Sequence, residues 1–137
     1  MSERGSAVIL MPAGLLIVIV LGSIAVDLSG LHLAQRELTS TAEAAVNDAV
    51  TFGLDQQQLR AGQGYRLDAR RVRRAVDRAA SAARLDDLEV DVRLIGSTTV
   101  RVTLRREVPL VFAPVLPGAH DRSSVSAQAT ATVQQPA

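Results

Sequence analysis

The chain has 137 residues, 47% of them hydrophobic and 21% charged, with a formal net charge of +1 at pH 7. It contains no Cys, which excludes a disulfide framework and a thiolate metal site. Near-neutral charge gives no global pull toward nucleic acid, and 2% aromatic residues leave no stacking platform for bases or sugars.

Residues 7–26 carry no charge, and Ser23 is their only hydroxyl. At ~1.5 Å rise per residue a helix of this length covers about 30 Å, the thickness of bilayer hydrocarbon. Twelve of these residues are Leu, Ile or Val. At roughly −0.3 to −0.6 kcal/mol each they favour insertion by about 5 kcal/mol, offset in part by Pro12, Gly14, Gly22 and Ser23. The segment is expected to be a single transmembrane helix, with a bend allowed near Pro12 and Gly14. The short tail, residues 1–6 with Arg4, places the N-terminus in the cytoplasm and the rest of the chain outside the inner membrane. A competing reading is a secretory signal peptide cut before Val26, where Ser23 and Ala25 have the required spacing. The run exceeds a usual h-region and flows on as helix, which favours a retained anchor.

Residues 27–53 form the expected helical extension. Leu28, Leu31, Gln35, Leu38, Ala42, Ala45, Ala49 and Phe52 step by three and four alternately. That is an a/d register with one polar member. The stripe is a candidate helix-packing or assembly surface. It is equally suited to packing on the chain's own C-terminal domain.

Residues 53–64, rich in Gln and Gly, read as a loop. Asp68 then caps a second helix over 69–84, with Val72, Ala75, Val76, Ala79 and Ala83 on one stripe. Arg70, Arg71, Arg73, Arg74 and Arg78 cover much of the remainder. Such a helix invites an anionic ligand, but a solvated face with Asp77 as partial neutraliser is the simpler expectation.

After Asp86-Asp87 the period becomes two. Leu88, Val90, Val92 and Leu94 alternate with charged residues. Gly96-Ser97-Thr98-Thr99 makes a hairpin turn, and Val100, Val102 and Leu104 continue the alternation. Arg93 and either Arg101 or Arg105 are placed to pair with Glu89 and Asp91 across the exposed face. A third strand is expected over 123–133. Between them lies an apolar loop, residues 110–116, punctuated by Pro109, Pro114 and Pro117. It is expected to cover a sheet edge or core end, with a bilayer surface or a partner as the other candidates. The fold class is α+β: a long N-terminal helix, a short second helix and a three-stranded antiparallel sheet in a small extracytoplasmic domain, residues 65–137.

Catalytic signals are missing. His32 and His120 lie far apart, with no carboxylate cluster beside them. There is no Gly-rich phosphate loop and no GxSxG elbow. Ser123-Ser124 has no evident base. No enzyme activity, cofactor, metal, nucleic acid or small-molecule substrate is expected.

Arg4-Gly5-Ser6-Ala7 precedes the span, Val26-Asp27-Leu28 closes it, and Gly30, Arg36, Leu38 and Thr41-Ala42-Glu43-Ala44-Ala45 follow. Through these residues, over 4–50, the chain resembles the TadE/TadG-like minor pilin proteins of tight-adherence (Tad, Flp-type) pilus systems, the actinobacterial kind in particular. The resemblance implies a pilin-like, membrane-anchored accessory subunit whose partners are the lipid bilayer and other pilin-like or pilus-assembly subunits. It departs from prepilin processing at one position: a cut after Gly5 leaves Leu10 where Glu is expected. A secreted or membrane-tethered envelope binding or adaptor protein unrelated to pili is the alternative.

Overall fold

The computed structural model describes residues 4–115 and 118–134, and the side chains of its first helix from residue 10 onward. Leu116 and Pro117 of the apolar loop and residues 1–3 and 135–137 lie outside it. The elements are α1 (Arg4–Phe52), α2 (Gln56–Arg60), α3 (Ala69–Ala82), β1 (Glu89–Ile95), β2 (Thr99–Pro109), a 3-10 turn (Ala113–Val115) and β3 (Arg122–Thr132). The three strands form an antiparallel sheet in the order β1-β2-β3. The expected α+β architecture is therefore present.

α1 is one helix of 49 residues, unbroken through Pro12. At ~1.5 Å per residue it is about 74 Å long. From Leu10 to Gly22 its side chains are exposed: the most apolar 18-residue window has mean hydropathy 2.3 and is 0% buried. Ser23 Oγ donates to the Val20 carbonyl at 2.7 Å, so the one hydroxyl in the run is satisfied inside the helix.

The C-terminal half of α1 lies on one face of the sheet beside α3. β2 shows why. Val100, Val102 and Leu104 alternate inward and are fully buried, while Arg101 and Arg105 point out. β3 offers Val125, Ala127, Ala129 and Ala131 to the same face. α3 closes the layer with Val72, Ala75, Val76 and Ala80. These join Leu38, Ala42, Ala45, Val46 and Ala49 of α1 in a core built largely of small side chains.

The connection from α1 to α3 is tighter than a loop. Residues 53–64 contain α2, a five-residue helix with no buried side chain, started by Asp55 accepting from the Gln57 and Gln58 amides. Asp55 and Gln58 have the D-x-x-Q spacing of a capping box, which marks the start despite the polar composition. Gly53 is buried where α1 ends. A Cβ there would collide with the Ala49 carbonyl oxygen and come 2.6 Å from Val72 Cγ2. α3 begins at Asp68, as its sequence indicates, and ends at Ala82, two residues before the expected stop at Arg84. Arg84 itself has φ +51°, outside the helical region. Gly96 opens the hairpin at φ +67°, a left-handed position that Gly adopts without steric cost. On the outer face Arg93 pairs with Asp91 of its own strand at 3.0 Å, and Arg105 reaches Glu89 across the ladder at 4.0 Å. Arg101 stands opposite Arg93 in the register.

Two predictions follow from these joints. Gly53→Ala should cost about 1–3 kcal/mol by overpacking the α1–α3 corner, read as a lower urea midpoint at unchanged m. The Arg71 backbone amide donates to Asp68 and holds its carboxyl below the usual pKa. A lowered folded-state pKa means that the cap's stability is present above the unfolded pKa and is lost as pH falls through the folded value. The melting-temperature gap between the native chain and Asp68→Ala should therefore be constant near neutrality. It should narrow only below the ordinary carboxylate range.

Candidate functional site: the membrane-side end of the domain

The eight residues of the three–four stripe part company in the folded chain. Leu38, Ala42, Ala45 and Ala49 are 0–1% exposed and face the chain's own sheet and α3. Leu31 is half-buried against that core, while Leu28 and Phe52 are 60% and 56% exposed. Arg78 of α3 stacks over the Phe52 ring at 5.7 Å. Gln35, the polar member, donates from Nε2 to the Ser126 carbonyl of the edge strand β3 at 2.7 Å. Ala34 and Val46 join the buried set from just beside the stripe.

Toward the lipid-side end the helix–sheet contact becomes polar. Arg106, on the inner face of β2, reaches Glu37 at 3.6 Å. Arg122 at the start of β3 pairs with Asp87 at 3.3 Å and with Glu107 at 3.5 Å. These two carboxylates raise the Arg122 pKa above its usual value.

The most specific contact lies one residue past the apolar run. The Asp27 carboxylate accepts from three consecutive backbone amides 84–86 positions away. Val111 N–H donates to Oδ1 at 2.8 Å, Ala113 N–H to Oδ2 at 2.9 Å, and Phe112 N–H to both oxygens at 3.3 and 3.1 Å. Asp27 thus caps the 3-10 turn from another element, as an N-cap side chain does within a helix. The turn closes through Val115 N–H to the Phe112 carbonyl at 3.1 Å, and Leu110 N–H donates to the Asp121 carbonyl at 2.8 Å. Behind the lock is an apolar groove of about 180 Å³ between Ser23, Ile24, Leu28 and Leu31 of α1 and Leu110 and Phe112 of the loop. In the sequence Asp27 is simply the first charge after the apolar run; the structure gives it partners. Those partners are too remote in sequence for any local pattern to reveal. The only signal was an acid standing alone at the end of an apolar run.

The basic residues of α3 lie on the open surface. Arg70, Arg71, Arg73, Arg74 and Arg78 are all exposed. A shallow hollow of about 620 Å³ runs past Arg74, Asp77, Arg78 and Arg84. Asp77 shares that face, so its field is mixed. Among the described residues no group of three or more His, Asp or Glu is placed to hold a metal ion.

Asp27→Asn keeps the shape but puts an amide donor against a backbone donor. It should cost about 1.5–3 kcal/mol, the range for hydrogen bonds to charged groups. Amide exchange should accelerate at 111–113, while β2 and the buried part of α1 stay protected. Unchanged exchange in the loop would contradict the lock. Ala45→Arg forces a charge into a fully enclosed position. It should abolish cooperative unfolding altogether, measured by circular dichroism in detergent.

Residues 5–51 match the model of the family described as "Putative Flp pilus-assembly TadE/G-like". The match begins and ends within one residue of α1 (Arg4–Phe52). No curated protein and no solved structure matches the chain.

Proposed function

We propose that this chain, TadE/G-like over residues 5–51, is a membrane-anchored accessory, minor pilin-like subunit in the assembly of a Tad/Flp-type pilus or a related secretion machine. The observation that carries the reading is the coincidence of the family match with α1, a helix whose most apolar stretch is covered by nothing among the described residues. A helix hydrophobic all round and unburied has lipid or other apolar helices as its natural surroundings.

In this reading the span lies in the inner membrane with a single pass. The tail with Arg4 is cytoplasmic, and the α+β domain is extracytoplasmic. The domain is a folded head held on a helical rod and acts by contact rather than by chemistry. The stripe residues buried in the head serve its own folding. The surface left for other subunits is the line Ile17, Leu21, Ile24 and Leu28, which carries the three–four spacing back into the span with 42–61% exposure. Gly14 on this line and Gly22 beside it have open space around them among the described residues, so a neighbouring helix can approach closely there.

The test is genetic and chemical together. Deleting the gene should abolish surface pili, and the wild-type chain should restore them. A Cys at Leu21 or Leu28, in a protein with none of its own, should crosslink in cells to a membrane protein of the pilus system. A Cys at Thr130, on the outer sheet face, should not. Normal piliation in the deletion strain would remove the proposal. A soluble form of the protein beginning near Val26, seen by intact mass, would favour the secreted adaptor instead. A Cys at Gln134 that reacts with an impermeant thiol reagent only after inner-membrane lysis would reverse the topology.

A further inference from the structure

We propose that the loop Leu110–Val115 is a second membrane contact, with Val111, Phe112 and Val115 set into the headgroup–acyl boundary of the leaflet that α1 leaves at Asp27. The inference rests on the anchored reading of α1 and adds to it a fixed seat for the head on the bilayer.

The height of the loop is not free. Asp27 directly follows Val26, the last residue of the uncharged run, and its carboxylate holds the loop amides within 3.3 Å. If 7–26 fill the hydrocarbon, these amides lie at its edge. The headgroup layer there is roughly 5–8 Å deep. The side chains presented at this level are apolar and uncovered: Val111 is 68% exposed, Phe112 41% and Val115 79%. A freely solvated loop gains nothing from such residues, whereas an interfacial segment buries them about 5–10 Å into the boundary.

Charge changes sharply at the same level. Glu107, Arg122 and Asp87 form a linked set of ion pairs at the strand ends, and Pro109 pairs with Arg122 in the register. From Leu110 to Val115 the chain carries no charge. That order of charges outside and apolar residues beyond is what a surface facing a bilayer requires. Of the loop's backbone donors, Asp27 takes the three at 111–113. Unpaired, those amides would resist transfer toward lipid. The lock thus serves both to place the loop and to make it fit to enter.

The chain has no Trp, so one introduced Trp is a clean reporter. The full-length protein, reconstituted in phosphatidylcholine–phosphatidylglycerol vesicles with brominated acyl chains, would be compared as Ile17→Trp, Phe112→Trp, Val115→Trp and Thr130→Trp. Phe112→Trp and Val115→Trp should be quenched several-fold more than Thr130→Trp, most strongly by bromines near the headgroup. Ile17→Trp should be quenched best by deep bromines. If Ile17→Trp is quenched while both loop reporters behave like Thr130→Trp, the loop is not in the interface and the inference falls, leaving the anchor intact. Loop emission that is blue-shifted yet unquenched would place the loop against protein instead, and also overturns it. Failure to quench Ile17→Trp would remove the anchored reading and this inference with it.

Discussion

One helix has to satisfy two different solvents, and most of the structure is arranged around that demand. From Leu10 to Val26 α1 presents apolar side chains in every direction, as hydrocarbon would require. Over its second half it presents a single buried stripe to a sheet. The change is made without interrupting the backbone, by replacing Leu, Ile and Val around the whole circumference with Ala along one line. Ala42, Ala45 and Ala49 meet a sheet face whose β3 residues are also mostly Ala. Small side chains on both sides let the helix axis lie close to the sheet. A small domain can thereby enclose a core despite few large residues. The same economy makes the core intolerant: at Ala45 and Gly53 no room is left for added atoms.

Polarity along this interface is graded. Farther along α1 the contact is apolar, with Ala45, Ala49, Val72, Val76 and Val100 enclosed. Nearer the lipid Gln35, Glu37 and Arg106 enter it, and at the boundary the contact is carried by Asp27 and backbone amides. A hydrophobic contact at that point would have competed with the membrane for the same residues. A carboxylate with three amide donors does not, because its partners are defined by direction as well as by distance.

The sequence discloses those features that depend on near neighbours. The span follows from twenty uncharged residues, α3 from Asp68 and its apolar stripe, and the hairpin from alternation on either side of Gly96. Periodicity shows that α1 has a face but not what the face meets, because a helix stripe looks the same toward a sheet or toward another chain. α2 was hidden because four polar residues and one exposed Leu leave no hydrophobic pattern, only the Asp55–Gln58 spacing. The Asp27 lock was hidden for a different reason. It joins segments more than eighty residues apart through backbone donors, and a backbone amide has no letter in a sequence.

An unbroken helix from Arg4 to Phe52 also makes the molecule a lever. Each residue of a helix advances it ~1.5 Å and turns it about 100°. In the anchored arrangement proposed above, the head is fastened to the same rod that would lie in the lipid, and its heading would be fixed by the register of the span. Adding or removing one residue between 13 and 26 would swing the sheet by about 100° around the membrane normal with no change in the head itself. Length in the span is therefore also direction outside it, and a neighbouring subunit that grips the intramembrane helix would be steering the domain above.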